Sequence, residues 1–199
     1  MNTVFTIGHS NHSLDVFIRL LGGHGITALC DVRSKPYSRL YPQFNREELD
    51  RALPIHGIEY RFLGKELGGR SDDPACYAGG RIHYERLAES ESFQHGLKRL
   101  LNGVKQNLRI AAMCAEKEPL ECHRAILVAR HLAAAGVNIE HIDATGQLEN
   151  HAAALNRLLR ILNLPERDLF HSPEEMLAEA YRRQEERIAY EPSVRSAAG

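Results

Sequence analysis

Five short apolar runs divide the first three quarters of the chain, and each gives way to a polar cluster before the next stretch of helical periodicity begins. The runs from Thr3 to about Ile7, Ile26 to Val32, Ile58 to Leu63, Arg109 to Cys114 and Val137 to Ile142 have the length of buried strands. Between them, Leu14, Phe17, Ile18 and Leu21 follow Ser13, an N-cap candidate. Phe93, Leu97, Leu100, Leu101 and Val104 share one helical face, as do Ile126, Leu127, Ala129, Leu132 and Ala133. Strands that alternate with helices predict an α/β fold: a mostly parallel sheet of about five strands, helices on both faces and right-handed crossovers. Ligands of such sheets gather beyond the carboxyl ends of the strands.

The last quarter reads as helical, from Leu148 to Leu162 and again from Pro173 to about Ile188. Ser172 ahead of Pro173, Glu174 and Glu175 combines an N-cap, a first-turn proline and an acidic first turn. The charged face of this last segment is expected to be solvated while Ala178, Tyr181 and Ile188 pack on the domain. A contact with a second copy, making a homodimer, is the alternative. We expect one α/β domain over residues 1–192, C-terminal helices included, and a disordered tail over 193–199.

Composition narrows function. With 25 Lys and Arg against 26 Asp and Glu, the net charge of -1 offers no bulk attraction for nucleic acid or a membrane surface, so any anion site must be local. A chain of 199 residues, 43% of them hydrophobic, buries roughly 70% of its unfolded surface and needs no metal or disulfide to be stable. The start MNTVFTIGHS lacks the features of a signal peptide, and no run of about 18 apolar residues exists, which predicts a soluble cytoplasmic protein. Four cysteines without a C-x-x-C pair are expected to be reduced thiols, and the 11 histidines are scattered rather than gathered in a tract.

Three strand ends carry the chemistry. The first delivers Gly8-His9-Ser10-Asn11, the second Asp31-Val32-Arg33-Ser34, and the fourth Cys114-Ala115-Glu116-Lys117-Glu118, followed by Cys122-His123-Arg124 at a helix start. In a parallel sheet these converge at one edge. The first cluster offers backbone N–H groups and the Ser10 hydroxyl to an anion, without the glycine spacing of a dinucleotide loop. The plain alternative is a turn in which Asn11 or Ser13 caps the helix. Asp31 and Arg33 are either site residues or a salt bridge that orders the loop. A thiol beside His123 and Arg124 at a helix start has a lowered pKa, which makes Cys122, or Cys114 at the strand end, a candidate nucleophile. Either can equally be a small buried side chain without a task. The arrangement resembles the loop of rhodaneses and cysteine phosphatases, but Cys114 to Arg124 is too long for C-x5-R and Cys122 to Arg124 too short. Glu116, Glu118 and Glu121 would repel a phosphate, and Pro119 offers it no donor.

Other groupings are less specific. His9, Asp31, Cys122 and His123 include metal-ligand types without a diagnostic spacing, so no metal is expected and no cofactor is named. Gly64, Gly68, Gly69 and Arg70 read as a flexible lid or an ordinary surface loop. Tyr37, Tyr41 and Phe44, with Lys35 and Arg39, either stack on a base or pack their proline-rich loop down.

The motifs TIGHSN, DVRSKPYSR, LGKELGG, MCAEKEPLECHR and AYRRQEERIAY, in this order, resemble the family called domain of unknown function 488. The resemblance implies an α/β fold and a site containing Gly8, His9, Ser10, Asn11, Asp31, Arg33, Pro36, Ser38, Glu116, Cys122, His123 and Arg124. It implies no reaction. The leading expectation is a hydrolase or transferase for a small anionic substrate, such as a nucleotide or nucleic-acid fragment. Arg33 and Arg124 would bind the anion, Ser10, Asn11 and Ser38 would position it, and Glu116 with Asp31 or His123 would move protons. Sulfur or acyl transfer through Cys122 or Cys114, and a non-catalytic nucleotide- or metal-binding module, are the alternatives.

Overall fold

The computed structural model describes residues 2–165 and 171–192. Strand β1 (Thr3–Gly8) enters helix α1 (Leu14–Gly23), where the Ser13 hydroxyl accepts from Val16 N at 3.3 Å, the cap the sequence predicts. Strand β2 (Ala28–Asp31), helix α2 (Arg46–Ala52) and strand β3 (Glu59–Phe62) follow. Asn45 precedes α2 but does not cap it, because its carboxamide oxygen accepts instead from Ser38 N at 2.7 Å. The glycine-rich stretch holds the short helix α3 (Gly64–Leu67) and the hairpin strands β4 (Tyr77–Ala78) and β5 (Arg81–Ile82). Helices α4 (Tyr84–Glu89) and α5 (Glu91–Lys105) lead to strand β6 (Ile110–Cys114).

A π-helical turn (Arg124–Ala129) continues into α6 (Arg130–Ala134) and strand β7 (Asn138–Ile142). Strand β8 (Leu148–Asn150), helix α7 (His151–Ile161) and helix α8 (Pro173–Ile188) complete the described chain. The main sheet has six strands in the order β3-β2-β6-β1-β7-β8, parallel throughout except for β8. The expected five strands are therefore present, and the sixth comes from residues read as the start of a helix. Leu148–Asn150 pairs with Glu140–Ile142 because Asp143 closes a tight turn, its carboxylate accepting from Thr145 N and Gln147 N. The tail 193–199 lies outside the described residues.

The connections explain where a crevice forms. Helices α1 and α2 share one apolar layer with Phe5, Ile7, Leu29, Ala111 and Met113. Helices α4 to α8 contribute to the opposite layer, built on Val4, Ala28, Cys30, Ile110 and Ala112. Chain order runs leftward from β1 to β3 with helices on the first face and rightward from β3 to β7 with helices on the second, as right-handed crossovers require. The adjacent strands β1 and β6 thus send their connections to opposite faces, which opens a switch-point crevice beyond their carboxyl ends. Helix α8 buries Met176, Ala180, Tyr181 and Gln184 against its own chain, and its capping box joins Ser172 and Glu175. No helix among the described residues is long and apolar enough to cross a membrane.

A polar wire runs through the second layer: Thr6 Oγ1 to His141 Nδ1 at 2.7 Å, His141 Nε2 to His151 Nδ1 at 2.9 Å, and His151 Nε2 to the Tyr181 hydroxyl at 3.0 Å. Burial lowers His151 from 6.5 to about 4, and burial together with His151 lowers His141 further. The unfolded chain binds more protons than the folded one between those values, so stability is full above pH 6.5 and falls as pH drops toward 4. The urea midpoint is expected to be lower at pH 5 than at pH 7, and His151→Gln is expected to flatten that slope. Gly8 supplies a second check, since a Cβ there would lie 1.9 Å from the Glu116 carbonyl oxygen, whereas nothing lies within 4 Å of one at Gly22 in α1. Gly8→Ala should cost about 3 kcal/mol in denaturant unfolding. Gly22→Ala should add about 0.5–1 kcal/mol.

Candidate functional site

The carboxyl ends of β1, β2 and β6 meet as the sequence implies, but their residues divide between two adjoining cavities. His9, Ser10, Asn11 and Ser38 line one of about 620 Å³. Cys114, Glu116, Cys122 and His123 line the other, of about 280 Å³. Arg33, Lys35 and Ala115 border both.

The wall between them is built on a buried ion pair. Asp31 is fully buried and accepts from Arg33 N at 3.0 Å, Arg33 Nε at 2.9 Å, Arg33 NH2 at 2.6 Å and the Tyr60 hydroxyl at 2.8 Å. Arg33 also donates to the Phe44 carbonyl at 2.7 Å and meets His9 Nε2 at 3.2 Å. Burial and the Arg33 charge lower His9 to about 4, which leaves its ring neutral, stacked on Phe44 at 4.3 Å. Phe44 belongs to the core, so the aromatic loop is anchored by it, and Phe44 is not free to stack on a base. No hydrogen bond joins Asp31 to Glu116. The N–H groups of His9 and Ser10 donate to the carbonyls of Cys114 and Ala115, both at 2.9 Å, and so extend the β1–β6 ladder rather than face an anion. The Ser10 hydroxyl turns to Asn11 Oδ1 at 3.3 Å, and the Ser38 hydroxyl accepts from Tyr41 N at 3.1 Å.

Arg124 shapes the other cavity. It is 1% exposed, and its guanidinium donates to the carbonyl oxygens of Glu116 at 2.6 Å and Lys117 at 3.0 Å. The guanidinium groups of Arg33 and Arg124, expected to hold an anion, are thus engaged with protein partners. Held in this way, the loop after β6 turns back through Pro119 and Leu120 and brings Cys122 beside Cys114. Cys122 Sγ lies 3.0 Å from Glu116 Oε2 and receives the Arg124 N–H at 3.4 Å. Nδ1 of His123 stands 3.7 Å from Cys114 Sγ and 3.9 Å from Cys122 Sγ, while Nε2 donates to the Val32 carbonyl at 2.9 Å. The metal-ligand grouping drawn from sequence is not assembled: His9 and Asp31 belong to the Arg33 network, and Cys114 stands with Cys122 and His123 instead.

Electrostatics separates the two thiols. Burial raises Cys114, and the adjacent Cys122 raises it further. Burial also opposes ionisation of Cys122, but the neighbouring Cys114, the Arg124 charge and His123 outweigh it and hold Cys122 well below the ordinary thiol value. Cys122 is therefore the thiolate of the pair. Burial works against charge on His123, yet its contact with Cys122 prevails and raises it. Desolvation, then the neighbouring Cys122, raise the Glu116 carboxyl.

Several walls escaped the sequence reading. Tyr84 at the start of α4, Ile188 at the end of α8 and Tyr190 just beyond it all line the thiol cavity. Arg70 lies over the Tyr190 ring at 3.8 Å. The glycines beside it are close-packing positions rather than a lid: a Cβ at Gly64 would lie 1.9 Å from the Arg33 carbonyl oxygen, and one at Gly69 would touch His123. The AYRRQEERIAY motif was the available signal for Tyr190.

Fold and site together define an α/β protein with a thiol, imidazole and carboxylate centre at the carboxyl edge of its sheet. The sequence profile of the family described as Domain of unknown function DUF488 matches residues 13–131, more than half of the chain, and the chain belongs to that family. The match takes in DVRSKPYSR, LGKELGG and MCAEKEPLECHR, with TIGHSN and AYRRQEERIAY outside it. No curated protein and no solved structure matches the chain.

Asp31→Asn leaves Arg33 buried without its counter-charge and should cost about 3–5 kcal/mol in denaturant unfolding. Tyr60→Phe removes one donor to the buried carboxylate and should cost about 1.5–3 kcal/mol.

Proposed function

We propose that the chain is a thiol-dependent group-transfer enzyme for a small anionic donor, with Cys122 as the nucleophile. The observation that carries this reading is the surroundings of one sulfur: Cys122 Sγ lines a cavity, with Glu116 Oε2 at 3.0 Å, the Arg124 N–H at 3.4 Å and His123 Nδ1 at 3.9 Å. A nucleophile, a proton acceptor and a group that orients the acceptor are the parts covalent catalysis needs, and the Val32 carbonyl orients His123.

The proton of Cys122 rests on Glu116 or His123, so the sulfur stands as a thiolate before the donor arrives. In the first step the thiolate attacks the sulfane sulfur of a thiosulfate-like donor, or the carbonyl carbon of an acyl donor. The bond to the leaving group breaks, that group departs with the electron pair, and Cys122 carries a persulfide or a thioester. In the second step an acceptor nucleophile attacks the transferred atom, and Cys122 leaves as thiolate. Lys35, exposed at the mouth and without a hydrogen bond or ion pair among the described residues, and Arg70 supply positive charge for an anionic donor.

Reduced, metal-free protein mixed with thiosulfate, or separately with an acyl thioester, is expected to gain an adduct that mass spectrometry maps to Cys122. Cys122→Ser should abolish it, and Glu116→Gln should slow it by roughly 100-fold, the lower range of general acid–base effects. An adduct that persists in Cys122→Ser, or none from either donor, would contradict the reading and favour a binding module without turnover.

A further inference from the structure

We infer that Cys114, Cys122 and His123 form a binding site for a thiophilic divalent cation of the zinc class. Two sulfurs and an imidazole nitrogen, from the end of β6 and the start of the π-helical turn, all lie within 4.8 Å of one another. A tetrahedral centre with metal–sulfur bonds of about 2.3 Å and a metal–nitrogen bond of about 2.0 Å spaces its sulfur and nitrogen ligands roughly 3.5 Å apart. The observed spacings from Nδ1 of 3.7 and 3.9 Å need only a small contraction to reach it.

The ring of His123 is already set for coordination. A carbonyl oxygen only accepts, so the 2.9 Å contact with Val32 O places the proton on Nε2 and leaves the Nδ1 lone pair toward both sulfurs. A ligand imidazole whose other nitrogen donates to a backbone carbonyl is the usual outer-shell arrangement at zinc. Two thiolates with one imidazole select a soft cation over magnesium or calcium, which take oxygen ligands. The three residues line one cavity together with Glu116, so the fourth position is open to water or to that carboxylate rather than closed, as in a purely structural site.

Coordination needs only the three donor atoms and does not depend on the group-transfer reading. If both hold, they meet at one sulfur: a cation bound there occupies the Cys122 lone pair and silences the nucleophile until it is removed.

The test is a cobalt titration of the reduced, chelator-treated full chain. One equivalent of Co2+ is expected to give a thiolate-to-metal charge-transfer band and the intense visible bands of tetrahedral cobalt, which Zn2+ should bleach. Cys114→Ser, Cys122→Ser and His123→Gln should each weaken binding by more than about 100-fold, the upper range for outer-shell losses, whereas Cys30→Ala should not change it. Should a variant fail to fold, wild-type protein gives the same answer: one equivalent of Zn2+ should protect Cys114 and Cys122 together from iodoacetamide, and a chelator should restore labelling. A weak octahedral spectrum, a spectrum unchanged in all three variants, or zinc that protects neither cysteine would overturn the inference. Loss of the cobalt spectrum with donor adducts intact removes the cation site alone, and the reverse result removes only the group-transfer reading.

Discussion

The site depends on one buried cation. Arg124 comes from the first residue of the π-helical turn, and its side chain reaches back to the carbonyls of Glu116 and Lys117. Those two bonds fix the loop that leaves β6, and β1 is pressed against the loop so closely that only glycine fits at position 8. With the loop fixed, Cys122 has one place to go, beside Cys114. A charged group hydrogen-bonded to backbone carbonyls contributes more than a neutral one, and removing it would strand both acceptors. The π-helical register that sets Arg124 in this position is a local departure from regular helix of the kind often found at functional sites.

The same cation has a second consequence. Its charge lies close enough to Cys122 to favour the thiolate, while Cys114, equally buried, is pushed up by burial and by the neighbouring Cys122. Burial alone would raise both thiols, as it raises Cys30 to about 12. The difference between the neighbouring cysteines comes from the pair itself, since a charge on Cys122 raises Cys114, and from Arg124 and His123, which favour that charge. Arg33 plays the matching part on the far side of the wall, where Asp31 balances it and His9 is kept neutral.

Much of this was legible in the sequence. The apolar runs located all five parallel strands; β1, β2 and β6 are apolar because they are buried on both faces, whereas β3 at the sheet edge and β7 keep polar positions. Leu148–Asn150 was missed because its pairing is set by the preceding turn and by β7, which no local periodicity reports. Cys114, Cys122, His123 and Glu116 stood out as residue types, but their convergence depends on a loop path fixed by Arg124 and Gly8. Arg33 and Arg124 were recognised as site residues and given the role that charges at strand ends suggest. In the structure both are buried and bonded to protein partners, and burial is a property of the fold. The glycines after β3 show the same ambiguity: freedom to move and the need for close contact leave the same letters in a sequence.

The relative alkylation rates of the four cysteines in the native, reduced, metal-free protein test the central claim most directly. With iodoacetamide below the ordinary thiol pKa of about 8.5, Cys122 is expected to label first. Cys30 and Cys76 should label only when the protein unfolds. Equal rates at all four cysteines, or a Cys122 that resists labelling until unfolding, would contradict the account.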